Sequence, residues 1–310
     1  MSDHIPVLLE EVLHCFEKKR LKVFFDGTLG LGGHAKALLK AHPEIEIYIG
    51  CDQDEKALEI AKETLTSWKD KMVFVHKNFS EIDQILQENK VSCVDGFLCD
   101  IGVSSMQVDL GERGFSFSKE GPLDMRMNQM ASLTAKEVVN TYSEEKLGKI
   151  IREYGEERSW KKIARLIVEQ RTKSPFETTK DLADLISKNV GRVKKHLHSA
   201  TLTFQALRIY VNQELEVLKA FLEKSLYALC PSGIGSVISF HSLEDRIVKE
   251  FLKNSVEVDQ VTGKREKKVE VLSKKPIVAK DKETKENPRA RSAKLRAFKK
   301  LAFQKLREEC

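Results

Sequence analysis

Short apolar runs alternate with amphipathic stretches in the first third of the chain. Runs at residues 23–26, 46–51, 72–76 and 91–99 predict four buried strands. The stretch 55–68 lies between the second and third runs and has the spacing of an amphipathic helix. Alternating strands and helices of this kind indicate an α/β fold with a parallel sheet.

The pattern changes after residue 132. From residue 133 to about 229 the apolar positions recur with helical spacing, and Thr134-Ala135-Lys136-Glu137 has the form of a capping box. Strand character resumes at 235–240, after the turn signal Pro231-Ser232-Gly233. We therefore predict a discontinuous α/β domain of residues 1–111 and 206–310, interrupted by a helical domain of residues 112–205. The helices from 204 to 229 are expected to pack back on the sheet.

The last part of the chain is harder to assign. Residues 256–286 are rich in Lys and Glu and poor in aromatic residues, which predicts a mobile loop or an extended hairpin. Residues 292–297 alternate polar and apolar, which fits a final edge strand, but a helix from Leu295 onward fits nearly as well. The pattern leaves these two alternatives open.

A glycine-rich loop follows the first strand. Asp26 ends the strand, Gly27, Gly30, Gly32 and Gly33 follow, and a helix begins directly after them. Such a loop lets backbone amides approach a nucleotide-like ligand at a helix N-terminus. Asp26 would repel a pyrophosphate and attract the amino-acid end of S-adenosylmethionine. Asp52 ends the second strand, where an acid can accept hydrogen bonds from both ribose hydroxyls.

Other readings of this loop stay open. Glycine loops and Asp-x-Asp turns also occur in α/β proteins that bind no ligand. An NAD-dependent oxidoreductase is a second alternative, which Asp26 and the basic end of the chain weaken. A third is a non-catalytic RNA-binding or ribosome-assembly protein with a vestigial cofactor pocket.

Composition and charge restrict the cellular compartment and the kind of partner that we expect. The six cysteines form no C-x-x-C pair, which predicts buried thiols in a reducing compartment. No apolar stretch is long enough to span a membrane, so a cytoplasmic location is expected. The net charge is +6, and residues 261–310 hold 17 Lys and Arg against 7 Asp and Glu. This imbalance suggests a polyanionic partner, although a solvated lysine-rich face is an equal alternative. No cysteine or histidine cluster has zinc spacing, so no metal is predicted.

Several residues are candidates for the chemistry. Asp100, at the end of the fourth strand, could accept a hydrogen bond from an exocyclic amine during methyl transfer, or could cap a loop or hold cofactor. His241 could orient a base or shuttle a proton, but a loop-ordering hydrogen bond is the more common role. The sequence does not identify the general base. Four arginines are candidates for phosphate contacts: Arg113, Arg126, Arg289 and Arg291.

The chain resembles the bacterial RsmH/MraW family of ribosomal RNA small subunit methyltransferases. The resemblance rests on blocks in the family's order along nearly the whole chain: HIPVLLEEVL, DGTLGLGGH, DIGVSSMQ, RGFSFSKEGPLDMRM, YGEERSWKKIARLIV, TFQALRIYVNQELE, ISFHSLEDRIVK and NPRARSAKLR. It implies a class I methyltransferase fold with an inserted helical domain that recognises the substrate. It also implies S-adenosylmethionine as the donor and N4-methylation of a cytidine in the decoding region of 16S rRNA.

The resemblance also implies which residues bind the cofactor. Carried onto this sequence, they are Gly32, Gly33, His34, Asp52, Phe79, Asp100 and Gln107. The chain departs from the usual family pattern at Ile101, Met106, Ser199, Leu202 and Asn128. Leu202 replaces a positive charge and Asn128 replaces an acid, so we expect altered RNA affinity and the same reaction.

Overall fold

The computed structural model describes residues 5–191, 198–258 and 265–302. The chain divides into two compact units, each with its own hydrophobic core. The sheet unit comprises Met1–Gly102 and Leu215–Cys310, and the helical unit comprises Val103–Glu214. These boundaries lie nine residues before and nine residues after the predicted limits of the insertion at 112 and 205.

The sheet unit is built on a sheet of eight described strands. In chain order its first five strands are β1 (Val23–Asp26), β2 (Ile47–Asp52), β3 (Met72–His76), β4 (Val94–Asp100) and β5 (Leu229–Ser239). Its other three strands are β8 (Val269–Val271), β9 (Ile277–Val278) and β10 (Lys294–Lys300), and a separate pair of strands, β6 (Val256–Val258) and β7 (Arg265–Lys267), lies between β5 and β8 in the chain. The order is β3-β2-β1-β4-β5-β10-β8, with β9 beside β10, while β6 and β7 pair separately. The first five strands are parallel, and β10 runs antiparallel to β5.

Helices connect these strands and form the helical unit. Those of the sheet unit are α1 (Leu9–Phe16), α2 (Gly33–Ala41), α3 (Glu55–Thr64), α4 (Ile82–Glu88), α11 (Glu214–Ala228, whose first residue belongs to the helical unit), α12 (Ser242–Asn254) and α13 (Asp281–Glu286). Those of the helical unit are α5 (Ser105–Asp109), α6 (Ala135–Thr141), α7 (Glu144–Gly155), α8 (Trp160–Arg171), α9 (Thr179–Asn189) and α10 (Thr201–Asn212). The predicted fold class is confirmed: a Rossmann-like α/β sheet interrupted by helices.

β5 begins earlier than predicted. The turn signal at Pro231 and Gly233 lies inside the strand, because the register with β4 jumps from Val94↔Leu229 to Gly96↔Ile234. Ser232 adopts a positive φ of 64° there. The prediction of a turn before residue 235 was therefore wrong, since proline and glycine are accommodated in a β-bulge.

The end of the chain resolves the open alternatives. Residues 294–300 form strand β10 and no helix, because Leu295, Ala297 and Phe298 are buried against the sheet beside β5. The predicted edge position was wrong, since β8 and β9 pair with the other side of β10. The segment 256–286 includes the β6–β7 hairpin, as predicted, together with β8, β9 and α13, which were not predicted. The strands are too short to show a clear hydrophobic period.

Helix α10 was expected to pack on the sheet, and that expectation was wrong. Phe204, Ala206, Leu207 and Val211 of α10 are buried in the core of the helical unit. The helix that packs on the sheet is α11, through Leu218, Phe221 and Leu222. Both helices are apolar, so periodicity alone did not tell their partners apart.

The cysteine expectation also needs correction. Cys93, just before β4, and Cys230, in β5, form a disulfide with a Cα–Cα distance of 5.0 Å. Cys15, Cys51 and Cys99 are free thiols, as expected, and Cys310 lies outside the described residues. The two bonded cysteines are 137 residues apart, and only the pairing of β4 with β5 brings them together. Among the described helices, none is long and apolar enough to cross a bilayer.

Candidate active site

Three aspartates lie at the carboxyl ends of neighbouring parallel strands. Asp26 ends β1, Asp52 ends β2 and Asp100 ends β4. Because β1 pairs with both β2 and β4, the three carboxyl groups share one edge of the sheet. This is the edge where ligands bind in open α/β sheets.

The glycine loop between β1 and α2 has the conformation that its residues predict. Gly30 and Gly32 adopt positive φ values of 53° and 83°, which side chains rarely tolerate. A Cβ atom at Gly27 would lie 2.6 Å from Cys99 Sγ, and one at Gly33 would lie 2.6 Å from Pro6 Cγ. The loop therefore needs glycine, and it leads into α2 with Gly32 as an N-cap that offers no side-chain cap to the first amides.

Asp52 ties the loop to the end of β2. Its Oδ2 accepts a hydrogen bond from Gly30 N at 2.8 Å, and its Oδ1 accepts one from Asp54 N at 2.9 Å. Each carboxylate oxygen has a second lone pair, so both can still accept a ribose hydroxyl. Burial raises the pKa of Asp52 to about 6.

Asp26 has a different position from the one expected. It is only 1% exposed, and its carboxyl accepts hydrogen bonds from Thr28 N at 3.1 Å and from Tyr48 Oη at 3.0 Å. Burial raises its pKa to about 7. An electrostatic influence on a ligand fits this geometry, whereas direct contact with the amino-acid end does not. Tyr48 was missed from the sequence, where it stands within an apolar strand.

Asp100 is held on its main-chain side by Thr28, whose Oγ1 accepts a hydrogen bond from Asp100 N at 2.6 Å. Its side-chain Oδ1 is buried and makes no hydrogen bond among the described residues. Its Oδ2 lies 3.9 Å from Nδ1 of His34, in the first turn of α2, whose Nε2 bonds to Val7 O at 2.9 Å. Burial first, then the negative charges of Asp26 and Glu244, raise the pKa of Asp100 to about 8.

The electrostatics of this edge favour a cation. The pKa values of all three aspartates are raised, and the strongest charge effect on each comes from another carboxyl group: Asp52 on Asp26, Asp54 on Asp52, and Asp26 on Asp100. A buried carboxylate without a cationic partner is costly, and a positively charged ligand removes that cost. The edge therefore suits a cationic ligand better than a pyrophosphate.

Phe79 lies beside the glycine loop and is also part of the hydrophobic core of the sheet unit. It starts a short 3₁₀ helix after β3, is 7% exposed, and packs edge-on against Phe221 of α11 with ring centroids 5.1 Å apart. Its Cβ would be 3.0 Å from a Cβ at Gly27. The ring is thus a wall of the loop, and its predicted contact with adenine stays a prediction.

Gln107 belongs to the helical unit. It is buried and forms a capping box at the start of α5, where its Oε1 accepts a hydrogen bond from Ser104 N and its own N–H donates to Ser104 Oγ. The Ser-x-x-Gln spacing was the available signal for this role. Its predicted contact with the cofactor is not tested by these bonds.

His241 is the N-cap of α12 and forms a capping box with Glu244. Its Nδ1 accepts a hydrogen bond from Glu244 N at 3.4 Å, and Glu244 Oε2 accepts from Phe240 N at 2.8 Å. These contacts give His241 the loop-ordering role that was judged the more common one.

The four candidate arginines fall into two groups. Arg113 is 1% exposed and donates to the carbonyl oxygens of Arg126 and Met127 inside the helical unit, which does not fit a phosphate contact. Arg126 is paired with Asp124 in a bidentate contact. Arg289 and Arg291 are exposed in the 3₁₀ helix Pro288–Ser292 that precedes β10. The second group is exposed, whereas Arg126 is half-buried and Arg113 is buried.

Two departures from the usual family pattern lie near α10. Ser199 is buried just before the helix, and Leu202 is half-buried in its first turn. The carbonyl oxygen of Leu202 would lie 2.5 Å from a Cβ at Gly155, so this turn packs closely on the end of α7. The first turn of α10 therefore packs on α7 through its main chain, and the effect of Leu202 on RNA affinity stays a prediction.

Comparison with known proteins agrees with this geometry. Residues 1–301 match the MraW methylase family. The ribosomal RNA small subunit methyltransferase H of Protochlamydia amoebophila (strain UWE25) is 52% identical over 307 residues, covering 96% of this chain and 97% of the relative. Proteins of the same name from Caldicellulosiruptor bescii and Syntrophotalea carbinolica are 46% and 45% identical, covering 97% and 96% of this chain and 100% and 98% of the relatives. The chain belongs to the MraW methylase family.

Proposed function

We propose that this protein is a cytoplasmic methyltransferase that transfers a methyl group from S-adenosylmethionine to N4 of a cytidine in the decoding region of 16S rRNA. The observation that carries the proposal is the edge of three aspartates with raised pKa values, one buried and two half-buried, beside a glycine loop. A sulfonium donor brings a positive charge close to these carboxyl groups. The family and the named relatives support the ribosomal RNA substrate.

The residues fit the donor in a specific way. Asp52 accepts hydrogen bonds from the ribose hydroxyl groups. The main-chain amides near Gly32 and Gly33 approach the ligand closely, and Phe79 packs beside the adenine. The full set proposed to hold the donor is Gly32, Gly33, His34, Asp52, Phe79, Asp100 and Gln107. When bound, S-adenosylmethionine would supply an electrophilic methyl group, and the protein binds the donor, orients it and excludes water.

Asp100 is the residue proposed to meet the acceptor amine. The exocyclic amine of cytosine is a poor nucleophile because its lone pair is conjugated with the ring. A carboxylate that accepts a hydrogen bond from its N–H stabilises the positive charge that develops on nitrogen. The Asp100 side chain is 24% exposed while its Oδ1 is buried, so Oδ2 is the oxygen proposed to accept this bond.

The RNA must deliver an unstacked base. Turning a cytidine out of its stack costs a few kcal/mol, least for an unpaired nucleotide, and phosphate contacts offset that cost. The exposed guanidinium groups of Arg289 and Arg291 lie on the basic segment and are proposed to make such contacts. The 16S rRNA in the small subunit is the proposed partner.

The decisive experiment combines the purified protein, a labelled methyl donor and small subunits that lack the modification. We expect label in N4-methylcytidine after digestion of the RNA to nucleosides. Label in uridine, in protein or in no product would contradict the proposal. Calorimetry that detects no binding of S-adenosylmethionine would favour the vestigial-pocket alternative.

Substitution of Asp52 by alanine should weaken donor binding by roughly 1 to 3 kcal/mol, because the ribose loses its hydrogen-bond acceptors. Affinity for rRNA should change little. Isothermal titration calorimetry measures the first quantity and a filter-binding assay the second, with Asp70→Ala as the control for an exposed aspartate of the same unit. Equal donor affinity in the Asp52 variant and the wild type would refute the contact.

A further inference from the structure

A loop of the helical unit presents a strongly exposed apolar side chain. Met130, in the loop 124–131, is 88% exposed, more than any other large apolar residue among those the structure describes. A single exposed apolar residue is common on protein surfaces and needs no explanation by itself. The unusual feature is the number of hydrogen bonds that hold the loop 124–131, which carries Met130, in place.

Arg126 holds the loop from within. Its Nε and Nη2 bond to Oδ1 and Oδ2 of Asp124 at 2.9 and 2.7 Å. Its Nη1 donates to the carbonyl oxygens of Gln129 and Ala131 at 2.9 and 2.6 Å. One side chain therefore connects the start of the loop to the residues on both sides of Met130.

Two side chains from elsewhere in the unit hold the middle of the loop. The buried Arg113 donates through Nη2 to the carbonyl oxygens of Arg126 and Met127 at 3.1 and 3.0 Å. Asn212, the last residue of α10, accepts a hydrogen bond from Met127 N at 2.7 Å and donates to Met125 O at 2.8 Å. Met125 is fixed at a φ of 63°, a conformation that is unfavourable for a residue with a side chain.

The tip itself is closed by Asn128. Its Oδ1 accepts a hydrogen bond from Met130 N at 2.9 Å, and its carbonyl oxygen accepts one from Ala131 N at 3.1 Å. Residues 124–131 are thus ordered by buried or half-buried polar groups, while the side chain at the apex extends into solvent. Such ordering holds Met130 in one position.

The chemistry of the tip fits nucleic acid. Residues 128–131, Asn-Gln-Met-Ala, carry no charge, and the one acid of the loop is neutralised by Arg126, so phosphates are not repelled. An unbranched, polarisable methionine side chain is among those that proteins insert between stacked bases. The amide groups of Asn128 and Gln129 can hydrogen-bond to base edges.

We propose that Met130 is a wedge that inserts between bases of the RNA substrate, and that Arg113, Arg126 and Asn212 position it. The inference rests on the proposed function, because an RNA from which a base is turned out has lost stacking, which an inserted apolar side chain replaces in part. Met130 supplies such a side chain from a loop tip whose conformation is fixed.

The test compares Met130→Ala and Met130→Leu with the wild type. The matched control is Tyr227→Ala, which removes a 79% exposed aromatic side chain from the sheet unit. We expect Met130→Ala to weaken the affinity for protein-free 16S rRNA about tenfold and to lower kcat/KM for methyl transfer at least as much, because base stacking is lost. Donor affinity and thermal midpoint should stay at wild-type values, and Met130→Leu should retain most of the affinity.

Three outcomes distinguish the alternatives. Affinity for rRNA within twofold of wild type in Met130→Ala would overturn the wedge. Lost affinity for the assembled subunit with unchanged affinity for free rRNA would overturn it too, and would assign the tip to a ribosomal protein. If the wild type binds rRNA but methylates no cytidine, the proposed function fails, while the affinity comparison still decides on the wedge.

The positioning role of Arg126 is tested by rRNA affinity in a double-mutant comparison with Met130→Ala. Arg126→Gln should weaken rRNA affinity when Met130 is present and have much less effect when residue 130 is already alanine, because the arginine acts through that side chain. Additive losses in the double variant would show that Arg126 contacts RNA independently, which contradicts the positioning role.

Discussion

Substitution of Asp100 by asparagine is expected to lower the rate of methyl transfer about a hundredfold, which is the usual cost of removing one charge-stabilising group from an active site. The variant keeps the size of the side chain and loses its negative charge. The structure gives the reason for so large an effect: the Asp100 side chain is only 24% exposed, its buried Oδ1 makes no hydrogen bond among the described residues, and Asp26 and Glu244 add negative charge nearby.

The same substitution should change how donor binding depends on pH. The pKa of Asp100 is about 8 in the protein without donor, so the carboxyl is mostly protonated at pH 7. A cationic donor favours the ionised form, and its binding should release close to one proton from this group. Donor affinity of the wild type should therefore rise with pH and level off above about pH 8.

Calorimetry at pH 7 in buffers with different ionisation enthalpies counts the released protons. The count should fall by about one in Asp100→Asn, while Asp26 and Asp52, with pKa values of about 7 and 6, account for what remains. The control is Asp70→Asn, because Asp70 is exposed. Asp95→Asn is unsuitable, since the Asp95 carboxylate accepts hydrogen bonds from the main-chain amides of Lys22 and Val23. An unchanged proton count in Asp100→Asn would show that this carboxyl does not meet the donor's charge.

The sheet and its ligand-binding edge could be predicted from the sequence because the signals are local. An apolar run that ends in an acid, followed by glycines, fixes a strand, a tight loop and a helix start within fifteen residues. The strand β3 was predicted to the residue, and Asp26, Asp52 and Asp100 lie at the strand ends as expected. Parallel pairing then brings these ends together without further information.

The misplaced features depend on contacts between distant parts of the chain. The Cys93–Cys230 disulfide requires β4 to pair with β5, and α10 joins the helical unit because its apolar face meets α7 and not the sheet. Likewise, arginine is normally a surface residue, so the burial of Arg113 could not be foreseen. Its Nη2 donates to two carbonyl groups of a loop whose fold no local pattern encodes.

Phe221 shows how the core of the sheet unit supports the site. This residue of α11 is fully buried, and its ring lies 5.1 Å from the ring of Phe79, 5.1 Å from that of Phe97 and 6.3 Å from that of Phe25. Phe25 belongs to β1 and Phe97 to β4, the two strands that carry Asp26 and Asp100 at their ends. One ring therefore joins both central strands to the wall of the glycine loop.

Phe221→Ala is expected to reduce the free energy of unfolding of the sheet unit by about 3 to 5 kcal/mol, because it leaves a cavity among three other aromatic rings. Hydrogen exchange of the β1 and β4 amides in increasing urea measures this quantity for the sheet unit alone. Tyr227→Ala, six residues further along α11, removes an exposed ring and should change stability by less than about 0.5 kcal/mol.

Donor affinity should also fall in Phe221→Ala at temperatures where the protein stays folded, since Phe79 loses the ring that fixes its orientation. Phe221→Leu fills most of the cavity and should recover a large part of both stability and affinity. A loss of stability in Phe221→Ala no larger than that in Tyr227→Ala would mean that the aromatic cluster does not hold α11 to the sheet. In that case the position of Phe79 would have to depend on the 3₁₀ helix after β3, where Asn78 and Glu81 form a capping box.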